Sequence, residues 1–203
     1  MNIFLRRLLI LLNKVNMLSS ISAATGHLLI SEPFMMDPNF KRSVIILTEY
    51  SEIGTVGLVL NHQGDYLLGD ILPDISYSDM PVYIGGPVGN DTLHFIHQCP
   101  DKIPGGLEIC DGVFWGGDFE TVKGLISNYQ LSGDEIKFFT GYSGWTAGQL
   151  DAELKENTWI VTDKFSPAML FTNDEQNLWR EVVISLGTRY AHIANFPENP
   201  ALN

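Results

Sequence analysis

Cysteine is scarce in this chain: Cys99 and Cys110 are the only two among 203 residues. So few exclude a disulfide framework and fit a reducing compartment, so a cytoplasmic location is expected. Positive charge is scarce too, with 12 Lys and Arg against 24 Asp and Glu. The shortage is uneven. Residues 1–43 carry five cations (Arg6, Arg7, Lys14, Lys41, Arg42) and two anions, whereas residues 44–203 carry seven cations and 22 anions, a net charge of −15. A body this acidic repels phosphate backbones and releases no counterions on them, which argues against direct nucleic-acid contact. No apolar run approaches the roughly 18–20 residues of a transmembrane helix. No internal repeat or low-complexity linker marks a domain boundary. At 45% hydrophobic and 18% charged residues the chain is neither disordered nor collagen-like, and one domain is expected.

The first 25 residues place Arg6 and Arg7 ahead of the apolar run Leu8 to Leu12. That run is shorter than the roughly 7–15 residues of a signal-peptide core. Phe4, Leu5, Leu8, Leu9, Leu12 and Val15 recur on one helical face, so residues 1–25 read as a short amphipathic helical arm against the body or a partner. A cleaved signal and a start at Met17 are the alternatives.

Beyond the arm, residues 27–30, 43–48 and 55–61 read as strands. The continuous run Val44 to Leu47 suits a strand covered on both faces, and the 51–54 segment SEIG joins the second and third as a hairpin. Gly57 within a strand predicts close approach of another backbone or a ligand. Residues 66–72 read as a short helix stopped by Pro73, and 81–84 and 91–98 as strands around the loop GGPVG at 85–89. Gly117 or Asp118 caps a helix with the apolar face Phe119, Val122, Leu125, Ile126 and Tyr129. A strand at 136–140 leads to a GYSG turn. Thr146 and Gln149 then form a capping box for a helix to about Glu156, and 158–162 is a further strand. Asn173 and Gln176 form another capping box, opening a helix through Leu178, Trp179, Val182, Val183 and Leu186 with Gly187 as its stop. The tail FPENPALN reads as a strap or as disorder. Strands and helices that mix without βαβ alternation predict an α+β fold with a mixed sheet.

Chemistry is harder to find. Ser143 lies between glycines in GYSGW, but a nucleophile elbow needs glycine two residues on either side, and Trp145 takes the second position. Gly141 and Gly144 suit a tight turn and Ser143 a helix cap, which accounts for the segment without catalysis. His94 and His97, odd-spaced on a strand, face opposite sides and cannot share an ion without a bulge. With neither CxxC nor HExxH present, no metal is expected. GGPVG lacks both GxGxxG spacing and a Walker lysine, and Pro87 removes a donor from its middle, so no nucleotide cofactor is expected. The two glycine turns each follow an apolar strand, however, and so share one rim. A small ligand or peptide fits there, with Asn61, Gly85, Gly86, Pro87, Gly141, Tyr142, Ser143, Gly144 and Trp145 as the candidate binding residues. For Trp145 two readings compete: pinning the following helix to the sheet, which is favoured, and stacking on a ligand.

Four segments together resemble the AlgH/YqgE family, a bacterial group of largely uncharacterised proteins. They are GHLLISEPFMMDPNFKRSVIILTEYSEIGTVGLVLN at 26–61, PVYIGGPVGNDTLHFIH at 81–97, GVFWGGDFE at 112–120 and GYSGWTAGQLDAELKENTWIV at 141–161. The likeness covers about residues 26–190, leaving 1–25 as an added arm and 191–203 as a tail. His62 departs from the family's usual basic residue. The resemblance implies a single α+β domain with a mixed, barrel-like sheet flanked by helices, located in the cytosol. Some members carry the label of transcriptional regulator. No catalytic residue is carried over. Set against the −15 body, the regulator label implies action through a protein or small-molecule partner. The expectation is therefore a non-enzymatic binding or regulatory module. The rival is an enzyme acting on a small polar substrate at the glycine rim, for which an enclosed pocket with displaced carboxyl or imidazole ionisation would speak.

Overall fold

The β-branched run that starts at Val44 forms an interior strand of a ten-stranded sheet, and the alternation along its neighbours decides which face each covers. The computed structural model describes residues 19, 21–75 and 78–196. Of the amphipathic helical arm expected over residues 1–25, residues 1–18 and 20 lie outside the described residues, as does the tail from residue 197, and residues 21–25 are described and are not helical. The strands are β1 (Leu28–Ser31), β2 (Val44–Ser51), β3 (Gly54–Val59), β4 (Gln63–Leu67), β5 (Pro81–Ile84), β6 (Val88–His97), β7 (Leu107–Cys110), β8 (Val113–Trp115), β9 (Ile136–Thr146) and β10 (Trp159–Thr162). The helices are α1 (Leu68–Ile71), α2 (Phe119–Ser127), α3 (Gln149–Lys155), α4 (Glu175–Ser185) and α5 (Thr188–Ala191), and a 3₁₀ segment, Pro167–Phe171, precedes α4.

The sheet runs β10-β1-β2-β3-β9-β6-β8-β7, with β4 on β5 and β5 on β9. All pairs are antiparallel except β5 with β9, so the α+β class and the mixed sheet hold. The barrel does not. β7 packs beside β2, and Gly26 sits against the Ile109 carbonyl, yet no ladder among the described residues joins the two ends of the sheet, which stays open.

Three apolar clusters fill the faces. Leu28, Ile46, Leu58, Tyr83, Ile96 and Phe139 meet α4 through Leu178, Trp179, Val182 and Val183. The Trp179 indole donates to the Ser31 carbonyl at 3.0 Å. Val82, Phe95, Ile136 and Phe138 meet Val122 and Ile126 of α2. Leu29, Ile45, Val59, Trp145 and Trp159 meet Leu150 of α3. Each large side chain so buried contributes about 1.5–3 kcal/mol.

Several local expectations are corrected. Tyr66 and Leu67 belong to β4, and the helix shrinks to Leu68–Ile71, because Gln63 and Leu67 pair with Tyr83 and Pro81. Val88 and Gly89 belong to β6 rather than to a loop. Asp118 does cap α2, accepting from the Thr121 N–H at 2.6 Å, but Tyr129 lies beyond the helix at φ 56 and is 85% exposed. The hairpin of β7 and β8 was not expected; its Asp111-Gly112 turn, with Gly112 at φ 69, is a strong hairpin signal between very short strands. Asp174, not Asn173, precedes α4, and neither residue caps it with a side chain. Gln149 does reach back to the Thr146 N–H at 3.1 Å, although α3 begins only after Gly148. The GYSG segment makes no turn: β9 continues through it to Thr146.

Candidate functional site

β9 is long enough to serve two sets of neighbours. Its first half pairs in parallel with β5 at residues 138–140, and its last residues pair with β3 at 143–146. Gly85 sits where one neighbour gives way to the other. Its N–H donates to the Thr140 carbonyl (2.9 Å), and its carbonyl accepts from the Val59 N–H (2.9 Å) and the Ser143 hydroxyl (3.0 Å). Gly86, at φ 153, lies against the backbone of Tyr142 and Ser143. A side chain on Gly141, at φ 65, would come within 2.8 Å of the Gly86 and Val88 carbonyls. These glycines let three backbones meet at a fork in the sheet.

The two glycine segments are thus together, as the sequence suggested, but they fill the space between them with their own backbone. Gly85, Gly86, Gly141 and Ser143 are buried there, and Pro87 and Gly144 are exposed. Ser143 gives its hydroxyl proton to a carbonyl and caps no helix. Tyr142 stands edge-on to His94 at 5.7 Å, and His94 stacks on Trp115 at 6.3 Å. Asn61 is occupied elsewhere: its side chain accepts from the Val44 N–H and donates to the Arg42 carbonyl, both at 2.8 Å. Trp145 is 6% exposed and donates its indole N–H to Glu153 at 2.9 Å. Gly57 is approached by the Ile45 side chain, 2.7 Å from where a Cβ would stand.

Beside the fork, on the face of Phe95 and Phe138, lies an open groove of about 470 Å³. Val82, Ile84, Leu93, Thr140 and Ile71 line it with Tyr66, Asn90 and Thr92, and carboxylates come from β4 (Asp65), α1 (Asp70) and β6 (Asp91). Asp70 also accepts the Leu67 N–H at 2.9 Å. Sequence reading missed this groove. Its parts are four separate segments, and the one local signal, exposed apolar Tyr66 and Ile84 among acidic neighbours, depends on knowing which way each strand faces.

The most displaced ionisations lie elsewhere. Lys137, on the opposite face of β9, is 4% exposed, and burial lowers its amine to about 7. The amine donates to the Thr172 carbonyl at 3.0 Å and sits 3.8 Å from the Tyr83 ring centre. The Tyr83 hydroxyl donates to Glu175 at 2.6 Å; burial and that carboxylate push its ionisation up. Burial likewise raises the Cys99 and Cys110 thiols to about 11, leaving them inert as nucleophiles. The hydrogen bond from Lys102 holds Glu135 down at about 2. His97 bonds to the Gly116 carbonyl and turns away from His94, as the odd spacing requires. Among the described residues no group of three or more His, Cys, Asp or Glu is placed to hold a metal ion, and no helix is long and apolar enough to cross a membrane.

An open mixed sheet, forked at glycines and flanked by helices, with an acid-rimmed groove beside the fork, defines the class as a small α+β domain with an open cleft at a sheet junction. The model of the AlgH-like family matches residues 28–191, and the chain belongs to that family. It is 39% identical over 178 residues to a UPF0301 protein of Chlorobaculum tepidum, covering 88% of this chain and 95% of that one. It is 39% identical over 186 residues to a UPF0301 protein of Bacteroides thetaiotaomicron, covering 91% and 94%. The solution structure of the AlgH protein from Pseudomonas aeruginosa superposes with a TM-score of 0.68 at 28% identity, over 89% of this chain and 98% of that one. The crystal structure of protein DIP2367 from Corynebacterium diphtheriae shares the fold, with a TM-score of 0.73 at 21% identity over 92% and 97%.

Proposed function

We propose that this protein is a cytoplasmic, non-enzymatic binding and regulatory module that acts through a small molecule or protein partner rather than by touching DNA. The observation that carries this reading is the filled fork. Backbone occupies the space between the Gly85–Pro87 and Gly141–Gly144 segments, so no enclosed reaction chamber lies there. Space is available in the open groove alongside, where the one hydroxyl beside an imidazole among the described residues, Thr92 at 2.9 Å from His94, gives its proton to the Gly89 carbonyl at 2.6 Å rather than to the ring. A groove of about 470 Å³ falls in the size range of small-ligand sites. The candidate residues at 85–87 and 141–144 directly follow the lining residues Ile84 and Thr140, whereas Asn61 and Trp145 lie outside the groove.

The test is a fragment set added to the full chain, read by backbone amide shifts. Bound fragments should move residues 64–66, 82–84, 90–93 and 140 together and be recovered unchanged. Turnover of any fragment would overturn the reading. So would sub-micromolar, sequence-specific binding to a DNA duplex at physiological salt, measured by anisotropy, since the −15 body opposes it.

A further inference from the structure

The groove beside the glycine fork has an unbalanced lining. Its floor is apolar, formed by Val82, Ile84 and Leu93, and Ile84 is 46% exposed where the groove opens. Asp65, Asp70 and Asp91 stand around that floor, and no Lys, Arg or His lines it. Some carboxylates elsewhere have partners (Glu135 has Lys102, Glu120 has Lys123, Glu153 has two indoles, and Glu175 has the Tyr83 hydroxyl) and others stand alone on the surface, but those in the groove share one apolar floor. Among the described residues the Asp65 and Asp91 side chains have none, and Asp70 gives one oxygen to the Leu67 N–H. The three carboxylates come from three different segments, β4, α1 and β6, so no single local motif accounts for their convergence on one apolar trough. A neutral or anionic occupant would leave that charge unanswered.

We infer that the groove takes a small aliphatic amine, with ammonium groups against Asp65 and Asp91 and a methylene stem along Val82, Ile84 and Leu93. The inference rests on the binding reading above and names the ligand class for it. Charge complementarity excludes carboxylate and phosphate ligands from this lining, and the apolar floor disfavours a bare metal ion, which would leave the stem-length surface uncovered. Asp65, Asp70 and Asp91 are solvent-exposed, so each ammonium–carboxylate contact contributes modestly, adds to the apolar contact of the stem, and is screened by salt. A lysine side chain of a partner protein has the same chemistry, but the groove's small-ligand dimensions favour the free amine.

Three probes with one carbon chain separate the possibilities: 1,8-diaminooctane, 1,8-octanediol and suberate, each titrated into the full chain and followed by backbone amide shifts. The diamine should move residues 64–66, 82–84 and 90–93 and bind about tenfold more tightly than the diol, an advantage that shrinks as salt rises. Suberate should move none of them. The double variant Asp65→Asn/Asp91→Asn changes two exposed side chains without packing roles; it should lose the diamine's advantage and keep the diol's affinity. Equal binding of diol and diamine, or binding of suberate, overturns the amine inference and leaves the groove a binding site. Failure of all three probes to move groove amides overturns both readings. Diamine shifts spread over the acidic surface and unchanged in the double variant overturn the amine inference alone.

Discussion

Trp145 and Trp159 stand edge to face, 6.0 Å between ring centres, and donate their indole N–H groups to the same oxygen of Glu153, at 2.9 and 2.7 Å. Phe40 closes the cluster, stacked on one ring and edge-on to the other. One carboxylate on α3 thereby fastens the ends of β9 and β10, and Gln149 steadies its second oxygen at 3.0 Å.

Removing that acceptor strands two buried donors. Glu153→Ala should cost about 2–5 kcal/mol, and Glu153→Gln, which keeps an oxygen acceptor, markedly less. Trp145→Ala should cost about 3–5 kcal/mol and Trp145→Phe much less. Urea denaturation of the four variants beside the parent measures this. An alanine variant of Trp145 within about 1 kcal/mol of the parent would move that side chain from the core to the ligand site.

Glycine at the fork is required, and glycine elsewhere is not. Gly86→Ala would overlap the Tyr142–Ser143 peptide, and Gly141→Ala combines a left-handed φ of 65 with carbonyls at 2.8 Å. Each should cost about 3 kcal/mol or more, or prevent folding. Gly124, inside α2 with nothing within 4 Å of a built Cβ, should behave oppositely: Gly124→Ala should stabilise by about 0.5–1 kcal/mol. Thermal unfolding of the three variants decides. A tolerated Gly86→Ala would dissolve the fork argument.

Lys137 gives a pH signature. Its amine titrates near 7 when folded, against about 10.4 in an unfolded chain, so between these values only the unfolded state keeps the proton. Stability from this group therefore rises with pH from about 7 to about 10, and below 7 the cost of burying the cation is fully expressed. Lys137→Met removes the titration. At pH 6 it should exceed the parent in stability, by on the order of 4 kcal/mol at most, because Tyr83, Glu175 and the Thr172 carbonyl offset part of the burial cost. The gap should close by pH 10. Repulsion within the acidic body affects both proteins alike and cancels in the difference. A gap that does not change with pH would place the folded amine at its ordinary value.

Much of the frame is local, and local pattern reveals it. Val44 to Leu47 announce a strand covered on both faces because only β-branched and large apolar side chains suit that position. Leu178, Trp179, Val182 and Val183 announce α4 because a 3.6-residue period has no other use for that spacing. The motifs that resemble the AlgH/YqgE family run in order along the same stretch that the AlgH-like family matches. The reading failed where a residue's state depends on partners far along the chain. Gly141 and Gly144 look like a turn in isolation, yet β3 and β6 supply ladder partners on both flanks, and the segment stays extended through a left-handed glycine. Tyr66 and Leu67 fit a helix until β5 lies beside them. Whether the sheet closes is likewise decided by twist accumulated over many strands, not by any one of them. The groove is the extreme case. Asp65, Asp70, Asp91 and Ile84 belong to no common period or motif, and only the packing of β4, α1, β5 and β6 around β9 brings their charge and apolar surface to one place.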